Sequence, residues 1–295
     1  MQGFFWFAVV LAMGAVSARA QAPDAPQVSW STGLRAVQQV QLVLPSAVIA
    51  LKGEGGPREG RLEVRKSRGG DDCKAAAALR DGVLYIGEER EVNRVVPLAA
   101  LPVAVAESNA GDGITASLPH QLEARTGNNC VYQVQLELHH AAELRIVVPG
   151  EAQVELERWP EAVTVRLGTG YVAFGEVGDF DLECRGCDFG GEGLNGTLRY
   201  RIGVGTVGIR QLTDSVDGMS KGDVMLLWRK LGSASKVAVT SSAGDVAVGL
   251  PVGRGLTLSL KAPRGEVYSK RVSTTVAGGV PVDITAEAGT IRVRN

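Results

Sequence analysis

Asp188, Thr206, Asp223, Asp245, Glu266 and Thr290 share one place in a recurring pattern, each directly after a marker residue that is glycine in all but one case. If the segments carrying them stack in register, these side chains form a ladder stepping about 4.8 Å per rung. Asp223, Asp245 and Glu266 would then be neighbours, and like charges so placed repel. A cation would relieve them, and oxygen ligands suit calcium, so these three are the candidate metal ligands and calcium the one cofactor to weigh. Two carboxylates that close could also serve a retaining glycosidase. The plainer reading is turn chemistry, Gly-Asp and Gly-Glu sitting on a wet edge.

Four cysteines in an exported chain pair into two disulfides, out of three connectivities. Cys184 and Cys187 form CRGC, which leaves Cys73 and Cys130 to pair with each other. Redox work by a CxxC needs a helix N-terminus to lower the thiol pKa. Here the motif follows the strand-like FDLE and precedes DFGGEG, and no second CxxC exists to complete a zinc site. GVGTVG at 203–208 spells G-x-G-x-x-G, but a dinucleotide site needs a helix after the glycines, and this segment reads as one more copy of the repeat. His139 and His140 are adjacent, so on a strand they face opposite sides and cannot share an ion. With His120 they are the only histidines, and no catalytic residue is assigned. Trp30, Trp159 and Trp228 are isolated and read as packing residues. Arg199 and Arg201 share one strand face and, with Lys221, Arg229 and Lys230, read as solvated charge.

The elements that must position these residues begin after an export signal. Phe4 to Val16 is an apolar run of h-region length, followed by Ser17-Ala18-Arg19-Ala20 and Gln21, which fits cleavage after residue 20. The run is too short to span a bilayer, and no cysteine at the cleavage point would take a lipid. Removal of residues 1–20 takes Arg19 away, and the net charge of −1 becomes −2. That balance gives no general grip on nucleic acid. Aromatic residues at 5% are too few for obvious base or sugar platforms, and 38 glycines point to many tight turns between short strands.

Residues 21–36 read as a polar leader. From Val37 the chain alternates apolar and polar residues in QQVQLVLP, GRLEVR and GVLYIG, the mark of half-buried strands. KAAAALRD at 74–81 reads as a helical turn or two, and VYQVQLELHH and ELRIVVPG as strands. A boundary near 150 separates a β-rich region, 37–150, from a repeat region, 151–295. There the unit is two apolar residues separated by one, four residues, glycine, then a second such apolar pair. Markers at 170, 187, 205, 222, 244, 265 and 289 lie 17 to 24 residues apart, with Cys187 standing for glycine. The copy at Gly222 keeps Val224 and Leu226 but has Ser215 and Asp217 in its first apolar slots. One unit recurring at similar spacing is a solenoid signature, so the chain is all-β and a β-solenoid, or β-helix-like, stack. An antiparallel β-sandwich of hairpins is the alternative.

From VYQVQLELHHAAELRIVVPG through the glycine-marked repeats, the chain resembles the putative-adhesin family of bacterial envelope proteins, formerly a domain of unknown function. The similarity covers about 131–295 and reaches back more weakly to about 37. The chain departs from the pattern at Gly222 and in its four cysteines. The resemblance implies a β-solenoid-like fold, an envelope or surface-interaction role, and no catalytic residues. The sequence therefore reads as an exported, non-enzymatic protein of the periplasm or cell surface that presents a long face to an envelope protein or glycan. A polysaccharide-active enzyme on a β-helical scaffold and a structural periplasmic module are the alternatives.

Overall fold

The computed structural model describes residues 26–31, 33–95, 129–140, 142–251, 255–270 and 279–294. The segment read from sequence as an export signal, 1–20, the first residues of the leader and His120 lie outside them. The N-terminal region holds β1 (Val28–Trp30), β2 (Gln39–Val43), β3 (Ala47–Lys52), β4 (Arg61–Arg68), β5 (Ala75–Arg80), β6 (Val83–Glu88), α1 (Glu89–Val95) and β7 (Val131–Glu137). Three long strands follow: β8 (Glu143–Glu157), β9 (Val163–Val177) and β10 (Phe180–Leu194). The rest comes in pairs: β11 (Leu198–Val204) with β12 (Val207–Leu212), β13 (Val216–Ser220) with β14 (Val224–Trp228), and β15 (Val237–Ser241) with β16 (Val246–Gly249). Then come β17 (Leu256–Lys261) with β18 (Val267–Ser269), and β19 (Val280–Ala286) with β20 (Ile291–Arg294).

Each glycine-marked unit is one coil, with its first strand in one column and its second in another. In the first column β2, the start of β8, and then β9, β10, β11, β13, β15, β19 and β17 pair in parallel. The second column runs β7, β3, the end of β8, then β9, β10, β12, β14, β16, β20 and β18, also parallel. The two columns face each other across one core. Phe174 and Phe189 on the second column stack against Phe180 on the first, with ring centroids 5.1–5.5 Å apart. The parallel in-register ladders make the fold a β-solenoid and not an antiparallel sandwich.

Alternation decides which side chains enter that core. Val163, Val165, Val172 and Phe174 are at most 5% exposed, as are their counterparts Leu198, Tyr200, Val207 and Ile209 one coil on from β10. Each such side chain contributes about 1.5–3 kcal/mol over an exposed one. A ring that overfills its slot is met by a glycine on the next coil. Phe174 aligns with Gly191 and Tyr200 with Gly218, where an added Cβ would stand 2.1 and 2.0 Å from the ring.

The markers sit at the corner between columns, and their reason is space. A Cβ on Gly170 would stand 1.8 Å from the carbonyl oxygen of Ala152, and one on Gly205 1.9 Å from that of Cys187. Both have positive φ, +136° and +135°, a region that suits glycine. Gly222, Gly244, Gly289 and Gly265 repeat the contact, each against the glycine of a neighbouring coil.

Several expectations change. KAAAALRD is strand β5, antiparallel to β6, because Asp81 and Gly82 (φ 51° and 77°) form a two-residue hairpin loop that outweighs the helix preference of alanine. The helix that does form is α1, which packs its Val92 and Val95 with Tyr85 and Val43 outside the first column. The coil at Gly222 keeps its first strand as β13. Its corner is one residue shorter, so Val216 and Gly218 take the apolar slots in place of Ser215 and Asp217. The boundary placed near 150 falls inside β8, whose two halves stack directly on β2 and β3. Most unexpectedly, coil order departs from chain order. β19–β20 lies between β15–β16 and β17–β18, so the last coil of the chain is not the last of the stack.

Gly205→Val should therefore cost roughly 3 kcal/mol or more, from corner collision and strained φ together. Gly208→Ala, three residues on within β12 and with nothing within 4 Å of its added Cβ, should be neutral or slightly stabilising. Thermal melts followed by circular dichroism check the contrast, and equal melting points would remove the corner contact as the cause.

Candidate functional site

The residues after each marker project from the start of the second column, and the structure stacks them as a ladder whose members bond to one another's backbones. Asp188 Oδ1 accepts the Thr206 N–H at 2.9 Å and its hydroxyl at 2.7 Å. Asp223 Oδ1 accepts the Asp245 N–H at 2.8 Å. Asp245 Oδ1 accepts the Thr290 N–H at 2.8 Å, while its Oδ2 accepts from Arg292 at 2.9 Å. The Thr290 N–H, reinforced by Arg292, holds the Asp245 carboxyl below the usual carboxylate range.

Asp223 and Asp245 are thus neighbours, but Glu266 is not the next rung. Inserted coil β19–β20 places Thr290 between Asp245 and Glu266, and Glu266 instead accepts a hydrogen bond from the Tyr268 hydroxyl. That contact raises the Tyr268 pKa. Among the described residues no three His, Cys, Asp or Glu side chains converge as a metal cluster. The repulsion expected between neighbouring carboxylates is met by donors, a backbone N–H for each Asp and a guanidinium for Asp245.

The outer faces differ. Outside the first column Arg166 bridges Asp181 (2.9 Å) and Glu183 (3.1 Å), and Arg201 pairs with Asp217 (2.9 Å), so charge alternates from coil to coil. Outside the second column an open trough of about 490 Å³ crosses β7, β3, β8 and β9. Ala50, Ala173 and Gly175 line it together with Glu137, Glu155, Glu157 and Lys52, and Lys52 pairs with Glu157 at 3.3 Å. On the same face Tyr171, on β9 beside the trough, is 43% exposed, and farther along Met225 and Leu227 are 42% and 39% exposed.

The cysteines pair as Cys73–Cys130 and Cys184–Cys187, with Cα atoms 5.6 and 6.1 Å apart. Cys184 and Cys187 both lie within β10, and Cys187 takes the corner place that Gly170 holds one coil earlier. Gly203–Gly208 links β11 to β12, and a strand follows the glycines where a dinucleotide site has a helix. His139 and His140 diverge, their rings lying 3.4 Å from the Gly56 carbonyl and 2.8 Å from the Val37 carbonyl. Trp159 is fully buried with its indole N–H on the Ala142 carbonyl, and Trp228 donates to the Asp214 carbonyl.

Two polar centres escaped the reading of the sequence. The Asp214 carboxylate gathers the hydroxyls of Ser235 and Ser215 and the Ser215 N–H, and these, led by Ser235, hold its pKa down. Glu63, with a side chain only 11% exposed, lies between Arg61 and Arg65 on β4, and Arg61 is foremost in lowering its pKa. The alternating charges of GRLEVRK were the available signal for Glu63.

No protein-family model matches the chain, and comparison with curated proteins finds no match. Among solved structures, a putative cell adhesion protein from Clostridium sporogenes is 15% identical, with 90% of this chain and 97% of that one covered and a TM-score of 0.26. A putative adhesin from Parabacteroides distasonis is 12% identical, with 90% and 95% covered and a TM-score of 0.46.

Because the Asp245 pKa is depressed on folding, its contribution is present above the unfolded carboxylate value, near 4, and is lost as pH falls through the folded one. Asp245→Asn should lower stability at pH 7 by about 0.5–1 kcal/mol, a small effect because the group is solvent-screened. Its melting temperature should also fall less between about pH 5 and 2 than that of the unaltered chain. Parallel pH curves would show that the carboxylate is not part of what holds the coils.

Proposed function

We propose that this chain is an exported, non-enzymatic β-repeat protein whose long outer face engages an envelope or cell-surface component, protein or glycan, in an adhesin-like role. The observation that carries this reading is the second-column face. It runs along the stack with a trough at one end, exposed Tyr171 beside it and exposed Met225 and Leu227 farther along. Apolar groups standing out among polar rows on a rigid face are what interaction surfaces offer, and solenoids use such long faces for recognition.

The export signal and the paired cysteines support placement outside the cytoplasm. One carboxylate oxygen each of Asp188, Asp223 and Asp245 accepts an N–H from the adjacent coil, a structural task for these groups that supports a binding role over a chemical one.

The reading is tested by protease shaving of intact native cells that carry a tagged copy, compared with shaving after lysis. Loss of the tag from intact cells is expected. Protection until lysis would place the chain inside the envelope and remove the adhesin-like role.

A further inference from the structure

The two ends of the stack are finished differently. At the N-terminal end antiparallel strands close both columns, β5 on β6 and β1 on β4, and α1 packs against β5 and β6. At the other end, among the described residues, β17 pairs only with β19 and β18 only with β20. Among the described residues the parallel ladder stops there without a turn back.

Leu256 of this last coil is buried, but the core slots beyond it are more open. Leu258 and Leu260 are only half-buried and Val267 is 43% exposed, where their counterparts Val282, Ile284 and Ile291 one coil inward are at most 1% exposed. Tyr268 beside them is 54% exposed. The backbone is open too. The Val280 N–H bonds to the Gly255 carbonyl, so in the alternation of a parallel ladder residues 255, 257, 259 and 261 face β19. The N–H and C=O groups of Leu256, Leu258 and Leu260 then point to the free edge. An edge of this kind accepts an added strand, with main-chain bonds supplying affinity and alternate side chains supplying selection.

Charge selects among occupants. Lys261, Arg264 and Lys270 are exposed around this coil and form no salt bridge among the described residues. The coil's acid, Glu266, is bonded to the Tyr268 hydroxyl. A second copy meeting this edge through its own would set these cations against themselves, whereas an acidic strand would be drawn to them.

We propose that the free edge of β17–β18 docks an extended segment of a partner protein, apolar at alternate residues and acidic between them, which continues the stack by one strand. The proposal does not rest on the outer-face reading, since the edge and the face are separate surfaces.

The test uses the full mature chain and a capped, fluorescein-labelled peptide of alternating valine and glutamate, with a valine–lysine peptide as counterpart, read by fluorescence anisotropy. Expected is binding of the glutamate peptide that weakens as salt rises, with the lysine peptide much weaker. Lys261→Glu, Arg264→Glu and Lys270→Glu together should lower that affinity about tenfold or more, some 1.4 kcal/mol. Leu258→Pro removes an edge donor without touching the ladder to β19 and should abolish binding, with a modest fall in melting temperature because the half-buried leucine packs on the core. The triple variant, all at exposed positions, serves should the proline variant fail to fold. No binding of the glutamate peptide, equal binding of both peptides, or indifference to the triple variant would overturn the proposal. So would a concentration-dependent dimer in sedimentation that Leu258→Pro dissolves, which would assign the edge to a second copy. Loss of the shaving result with peptide binding intact would sink only the outer-face role.

Discussion

Everything in this molecule depends on how closely one coil's corner lies upon the next. Parallel strands in a sheet are about 4.8 Å apart, and at the corner the carbonyl of one coil occupies the space a side chain of the next would need. An added Cβ on Gly170, Gly205, Gly222, Gly265 or Gly289 would stand 1.8–2.1 Å from such a carbonyl oxygen, and no rotamer relieves a collision at Cβ. With the corners nested, the strands on either side fall into register and their apolar residues line up through the stack. A corner held apart would break the hydrogen-bond ladders of both columns together.

Nesting also explains the acidic ladder. Corner backbone amides need acceptors, and the residue just past the marker is placed to provide one. Asp188, Asp223 and Asp245 each take an N–H from the adjoining coil, so negative charges that would repel as a bare row are separated by donors. In three dimensions the row of carboxylates is a set of coil-to-coil hydrogen bonds. Cys187 occupies a corner without being glycine, and its disulfide to Cys184 joins the two columns of a single coil there.

A stack of this kind has a face and an end, and they suit different partners. The face is long, rigid and chemically mixed, able to contact a broad surface through side chains. The end, among the described residues, exposes backbone hydrogen-bonding groups and partly open apolar slots, the geometry that an added strand would match. Both follow from the repeat: alternation puts every second side chain outward along the face, and a parallel ladder that stops must leave one edge unpaired.

The sequence by itself determined where the corners fall and, for most coils, which residues face the core, because period-two alternation and the glycine requirement are local properties. Val163, Val165, Val172 and Phe174 could be assigned to the interior from spacing alone, and Cys187 to a corner from its place in the series. Only the tertiary structure decided which coil lies beside which. β15–β16, β17–β18 and β19–β20 carry the same kind of apolar slots and a glycine marker each, and nothing local distinguishes β17–β18 from β19–β20 as the neighbour of β15–β16. The insertion of β19–β20 is what separates Glu266 from Asp245 and leaves β17–β18 at the open end. The one-residue shift in β13 and the strand at Ala75–Arg80 have the same origin. In each, a contact distant in sequence or a tight turn outweighed the local signal: the Tyr200 ring over Gly218 in one, the Asp81–Gly82 hairpin loop in the other.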